Sequence, residues 1–469
     1  MSAERVATLD RRRAGVLLHL SSLDAGDGRG ALGMRARSFI DWLAESGFSV
    51  WQILPVGPTG TDGSPYWVSS DYAGAEFLID SAERPAASGS DYDEFRARSV
   101  HWLDDYALFA ALRAAHGGAA WQDWPAPLRE RESAALAAAR VVHAVAIEQC
   151  CAAQFAFDVQ WRHLRAYAAG RGVRLFGDLP IYVAPDSAET WAHREQFRLD
   201  ATGHPLVVAG VPPDYFAADG QLWGNPLYDW DAQRCGMFAH WRGRVAAQLQ
   251  RFDLLRLDHF RGLAAHWAVP RGAATARDGA WVITPGEPLL DALARDCGAG
   301  IGAPGNAMPA ALPFVAEDLG VITPDVDALR HRFALPGMHV VQFGFDGAGD
   351  NPHLPHMHRH HSVVYTGTHD NDTTVGWLQS LDGETLRRVE YYCGARGGEL
   401  PAAMTRATLG SVAQLAVLPM QDLLGLDARA RFNTPGTVSG NWSWRLPDGA
   451  LTVAISRQFA LLNRMYGRA

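Results

Sequence analysis

Leu254-Leu255-Arg256-Leu257-Asp258-His259-Phe260 is an apolar run broken by one arginine and ended by a carboxylate. A short run of this kind, bounded by polar residues, reads as a buried parallel strand whose end faces a site. Seven more runs rich in Val, Leu, Ile and Phe lie at 14–20, 48–56, 173–181, 314–319, 338–343, 362–368 and 416–420. Each is followed by polar residues and a longer segment. Eight such strands with helical intervals predict an α/β fold, a (β/α)8 TIM barrel.

The intervals are uneven. More than a hundred residues separate the second and third runs, and they include the Ala- and Arg-rich stretch from Leu128 to Cys150, which reads as helix. The expectation is a single barrel over 1–469 with two insertions at the C-terminal face of its strands. A mainly helical subdomain spans 57–172 after strand 2, and a loop subdomain spans 182–235 after strand 3. The second contains Pro212-Pro213-Asp214-Tyr215-Phe216, whose proline and aromatic content suits a loop that covers a substrate.

Composition narrows the chemistry. The chain is 48% hydrophobic and 20% charged with a net charge of −9, which argues against nucleic acid or an anionic membrane as partner. All 42 basic residues are arginine, so Schiff-base chemistry and a Walker-type phosphate loop are excluded. Five cysteines show no CxxC spacing, Met1 to Arg13 is polar, and no apolar stretch approaches the roughly 20 residues that span a bilayer. A cytoplasmic, reduced protein is expected. The histidines at 353, 356, 358, 360 and 361 lie among prolines without ligand spacing and read as a solvated loop.

Three runs end in carboxylates: Asp258 on the fourth, Glu317-Asp318 on the fifth, and His369-Asp370 on the seventh. Catalytic groups of a barrel sit at such ends. Neighbouring strands are about 4.8 Å apart, close to the roughly 5–5.5 Å between the carboxyls of retaining glycosidases. Asp258 is then the nucleophile and Glu317 the acid/base. Arg256, two residues before Asp258 and on the same face, would keep it ionised, while neighbouring negative charge would raise the pKa of Glu317. Asp370 would stabilise charge on the sugar ring. Two other readings stay open: strand-end acids serving as turn or cap residues, and a metal site built from His259, His369 and Asp370.

The segments Arg256-Leu-Asp-His-Phe-Arg-Gly262, Ala316-Glu-Asp-Leu-Gly-Val-Ile-Thr323 and Thr366-Gly-Thr-His-Asp-Asn-Asp-Thr-Thr374 closely resemble those of the 4-α-glucanotransferases of the amylomaltase type, glycoside hydrolase family 77. Trp51 to Pro58, Ser64-Pro-Tyr66, Gly210 to Phe216, Trp223 to Tyr228 and Ser439-Gly-Asn-Trp442 extend the resemblance from about Gly15 to Arg445. The resemblance implies transfer of α-1,4-glucan segments to the 4-hydroxyl of glucose or maltooligosaccharides, with no cofactor and no metal. It implies the same roles for Asp258, Glu317 and Asp370. It also implies sugar contacts from Ser64, Tyr66, Asp178, Trp223, Arg256, Asp318, His369 and Asn433, with Tyr215 and Phe216 at the tip of a loop on the acceptor side. Ala75, Trp67 and His266 depart from the family pattern and bear on substrate length. A retaining α-glucan hydrolase of amylase type and a noncatalytic maltodextrin-binding relative remain the alternatives.

Overall fold

The structure is a computed structural model that describes residues 9–24, 26, 30–213, 218–297, 312–437 and 439–469. In chain order its strands are β1 (Arg13–Leu17), β2 (Val50–Gln52), β3 (Arg174–Leu179), β4 (Val207–Val211), β5 (Gln221–Pro226), β6 (Leu254–Leu257), β7 (Ala265–Pro270), β8 (Ala280–Ile283), β9 (Phe314–Ala316), β10 (Gly337–Val340), β11 (Ser362–Tyr365) and β12 (Leu415–Pro419). Eight of them form one parallel sheet in the order β10-β11-β12-β1-β2-β3-β6-β9. Each of the eight apolar runs supplies one of these strands, as the sequence led us to expect.

Side-chain alternation separates two cores. One cluster draws Leu17, Val50, Phe176, Leu254, Val315, Met338, Val363 and Leu415 from all eight barrel strands and fills the barrel interior. The alternate residues, among them Val16, Trp51, Leu175, Leu255, Phe314, Val364 and Ala416, belong to the larger cluster under the surrounding helices. Strands buried on both faces explain why the runs are continuously apolar.

The sheet closes at β9 and β10 without a regular ladder. Ala316 N–H donates to Pro336 O at 2.9 Å, and beyond it Met338 N–H donates to Asp318 Oδ1 at 2.7 Å. Asp318 therefore acts as a side-chain substitute for a ladder carbonyl, and it is paired with Arg330 Nε at 3.2 Å. Gly337 makes room for it, since a Cβ there would lie 2.2 Å from Asp318 Oδ2.

Between β2 and β3 run the helices Ser90–Ala115, Ser133–Val142 and Ala144–Gly170. Two buried amides lock the preceding loop to the last of these: Gln154 exchanges two hydrogen bonds with the backbone of Gly74, and Gln160 does the same with Asp80. The stretch read as a loop at 182–235 contains β4 and β5, which join β7 and β8 in an antiparallel sheet of order β5-β4-β7-β8. The short, Gly- and Asn-containing strand Gln221–Pro226 gives a weak β signal, which is why the sequence reading missed this sheet. Among the described residues no single helix is long and apolar enough to cross a membrane.

The loops after β2 and β3 are joined by a buried charged cluster. Arg244 pairs with Asp71 at 2.6 Å and donates to Pro180 O, Ile181 O and Tyr228 OH. Beside it Glu189 accepts from Ser70 Oγ at 2.7 Å, and burial, reinforced by Asp71, pushes its carboxyl up to about 8. The folded state thus keeps a proton that the unfolded chain loses from about 4.5, so this residue's contribution to stability falls as pH rises from there towards about 8. Glu189→Gln is expected to flatten that fall and raise the thermal midpoint at pH 8, by about 1 °C for each kcal/mol recovered in a chain of this length. Thermal scans of both proteins at pH 5 and pH 8 check this, and an equal midpoint difference at both pH values would contradict it.

Candidate active site

The alternation that builds the interior also selects which polar residues reach its mouth. Phe176 and Leu254 point inward, so Asp178 and Arg256, two residues further on, do as well; β3 and β6 pair with Asp178 opposite Arg256. Arg256 Nη1 meets Asp178 Oδ2 at 2.6 Å, and Nη2 meets Asp258 Oδ1 at 2.8 Å. Side-chain exposure rises along this line, from 0% at Asp178 through 6% at Arg256 to 26% at Asp258. One guanidinium thus joins a sealed carboxylate to one that faces the cleft. Burial alone would lower the pKa of Arg256, but Asp178 and Asp258 more than offset it and hold the cation charged. Tyr66 adds an O–H donor to Asp178 Oδ2 at 2.7 Å, while Asp178 Oδ1 is buried with no hydrogen-bond partner among the described residues.

Val315 points inward on β9, and so does Glu317. Its Oε2 accepts from His259 N–H at 2.8 Å and its Oε1 from Leu319 N–H at 2.9 Å. His259 follows Asp258 in a left-handed conformation with φ of 48°, which turns its N–H toward Glu317. Non-glycine residues take this conformation only when the surroundings enforce it. Burial pushes Glu317 up to about 7; Asp258 acts in the same direction, against Arg256 and the two N–H donors. The two strand-end acids are therefore set differently, one held by a cation and one poised to hold a proton.

Asp370 arrives on the loop after β11. Its Oδ1 accepts from Asn433 Nδ2 at 2.6 Å and lies 3.4 Å from His369 Nε2, while its backbone carbonyl accepts from Arg431 at 2.7 Å. The His369 ring stacks on Tyr66, with centroids 5.2 Å apart and planes at 16°. Trp223 meets His259 edge-on at 4.7 Å. A small pocket opens beside His369, bordered by His19, Ser22, Asp372, Arg431 and Phe432. It lies on the β1, β11 and β12 side of the mouth.

The structure thus brings together Tyr66, Asp178, Arg256, Asp258, Glu317, His369, Asp370 and Asn433, with Trp223 against His259. Ser64 sits at the turn, where its hydroxyl accepts from Tyr66 N–H at 3.3 Å. Asp318 is a correction. It follows an inward residue and so points outward, into the β9–β10 seam with Met338 and Arg330, apart from the groups gathered at the mouth. Tyr215 and Phe216 lie outside the described residues. The imidazoles of the metal reading serve as ring partners: His259 is packed on Trp223, with burial driving its pKa down to about 4, and His369 is packed on Tyr66. Among the described residues no group of three or more His, Cys, Asp or Glu is placed to hold a metal ion. Arg431 was missed by the sequence reading, since nothing in its spacing ties it to a loop 61 residues earlier.

A sequence model of the 4-alpha-glucanotransferases, glycoside hydrolase family 77, matches residues 18–88 and 80–452. The chain belongs to this family. It is 44% identical to the 4-alpha-glucanotransferase of Thermus thermophilus, over 94% of this chain and 96% of that one. It is 42% identical to that of Synechocystis, over 98% and 99%. In structure it matches the amylomaltase from Streptococcus agalactiae in complex with acarbose, with a TM-score of 0.90 and 33% identity over 98% of this chain and 100% of that one. As a 4-alpha-glucanotransferase it is a transferase acting on α-glucans, not an amylase-type hydrolase or an inert binding protein, and its fold is the (β/α)8 barrel expected from the strand pattern.

The geometry yields a direct electrostatic expectation for this transferase. Asp258→Asn removes a negative charge beside Glu317, so Glu317 should titrate below its parental value of about 7. Infrared difference titration of the carboxyl groups checks this. An unchanged Glu317 would mean that burial alone sets its proton affinity.

Proposed function

We propose that the transfer proceeds by double displacement with Asp258 as nucleophile, Glu317 as acid/base and Asp370 as transition-state stabiliser. The observation that supports it most is the Arg256 fork, which holds Asp258 at 2.8 Å beside a Glu317 that burial has raised to about 7. A carboxylate Oδ of Asp258 attacks the anomeric carbon as Glu317 gives its proton to the departing glycosidic oxygen, releasing the reducing-end fragment. The glycosyl ester then accepts the 4-hydroxyl of a glucose or maltooligosaccharide, whose proton returns to Glu317, and Asp258 leaves. Positive charge on the ring passes close to Asp370, whose carboxylate is oriented by Asn433 and by the backbone grip of Arg431.

The neighbouring groups suit sugar binding. Asp178 holds the Tyr66 hydroxyl from beneath, and Tyr66, His369 and Trp223 offer ring faces and edges. Ser64, Arg256 and Asn433 complete the contacts we assign. Transfer rather than hydrolysis requires that the ester outlast its exposure to water, a protection we assign to the insertions 57–172 and 182–235. The proposal includes a cytoplasmic location and turnover without a cofactor.

Glu317 must be protonated for the first step, so turnover of unactivated maltotriose is expected to fall as pH rises through about 7. Asp258→Asn and Glu317→Gln are each expected to lower turnover by about three orders of magnitude or more while leaving the fold intact. Glu317→Gln should also lose the alkaline fall and recover its first step with α-maltosyl fluoride, whose leaving group needs no proton. Chromatography of the oligosaccharide products measures these rates. Near-normal turnover in either variant would remove that residue from the mechanism.

A further inference from the structure

Trp442 takes a left-handed backbone conformation with φ of 63°, one that bulky side chains rarely adopt. It is held there by its N–H, which donates to Phe432 O at 2.7 Å, and by its ring, which meets Phe432 at 5.4 Å and 82°. The same ring lies 6.0 Å from Tyr66 and 6.1 Å from His369, which stack on each other at 5.2 Å. Trp442 therefore closes a triangle of three rings at the mouth of the barrel.

Two lines of polar contact leave that triangle. From Tyr66 the hydroxyl reaches Asp178, which is paired with Arg256, which holds Asp258. From His369, Nε2 reaches Asp370 Oδ1 at 3.4 Å. The segment that carries Trp442 also supplies Asn433 and Arg431, the two other groups that hold Asp370. Backbone conformations of this kind persist where the surroundings over-determine them, and they cluster at sites whose geometry depends on them.

We infer that Trp442 is a positioning residue for the glycosyl-transfer step, fixing Tyr66 and His369 so that Asp258 and Asp370 are both set against the anomeric carbon. The inference rests on the assignment of Asp258 and Asp370 above. It differs from a sugar-stacking role in that its effect passes through Asp258 and Asp370 and falls chiefly on the rate of reaction, with a smaller effect on substrate hold through Tyr66 and His369.

The test compares Trp442→Ala and Trp442→Phe with the parent enzyme, using maltotriose and α-maltosyl fluoride as donors and reading kcat and KM separately alongside the thermal midpoint. Trp442→Ala is expected to lower kcat about 100-fold on both donors with KM changed by less than about threefold. Trp442→Phe, which restores a ring, should recover most of the rate. If Trp442→Ala does not fold, Trp442→Leu reads the same loss with apolar bulk retained. A raised KM with normal kcat would overturn the inference in favour of direct sugar stacking, and so would a parental rate. Loss on maltotriose alone would overturn it by locating the effect at Glu317, since fluoride needs no proton to leave. Asp258→Asn is run beside them, and activity there would fail the assignment of the nucleophile and leave the Trp442 result to be judged by itself.

Discussion

The guanidinium of Arg256 sits between Asp178 and Asp258, and the site is arranged around that one fork. A cation this deeply buried is stable only when its charge is answered and its N–H groups are used. Asp178 answers it from inside the barrel, fully shielded from solvent, and Asp258 answers it from the cleft side. Tyr66 joins through its hydroxyl on Asp178, so its ring and the carboxylate proposed to attack the sugar are fixed by the same charge. Lysine is a poorer substitute, because its one nitrogen would have to reach both carboxylates from a single point, whereas the guanidinium reaches each from its own nitrogen.

The barrel exists to hold that fork in register. Asp178 lies opposite Arg256 across paired strands, and the apolar residues beneath them fill the interior from all eight strands. Where the circle fails to close by backbone pairing, Asp318 stands in as an acceptor for Met338 N–H, and Gly337 leaves space for it. Adjacent residues of one strand end, Glu317 and Asp318, thus do opposite work: the first turns into the mouth with a raised proton affinity, the second staples the seam. At the opposite end of the chain the guanidinium of Arg468 is buried and donates to the carbonyls of Leu409, Arg13, Ser411 and Ala413, tying the penultimate residue to the first barrel strand.

Much of this was legible in the sequence for a simple reason. Parallel strands covered on both faces must be apolar throughout, so carboxylates at the ends of such runs, Asp258, Glu317 and Asp370 among them, stand out as candidates. The pairing of Arg256 with Asp258 follows from a spacing of two. The same parity, counted on from Glu317, would have turned Asp318 away from the cleft, so that error lay in the reading and not in the sequence. Other features were beyond reach. Arg431 meets Asp370, and Trp442 meets His369 and Tyr66, across more than sixty residues of chain, and no local pattern records such contacts. The second sheet pairs strands from separate stretches of chain, one of them the weakly β-forming Gln221–Pro226, and Arg468 looks like any surface arginine until its carbonyl partners are seen.

The central claim is that the carboxylate held by Arg256 is the one that bonds to sugar. Its most direct test is to trap the glycosyl-enzyme by treating Glu317→Gln with α-maltosyl fluoride in the absence of acceptor, then to digest the protein and locate the added mass by tandem mass spectrometry. The account predicts a maltosyl adduct on Asp258. An adduct on Asp370 or Asp178, or a variant that turns over the fluoride without any covalent species, would contradict it.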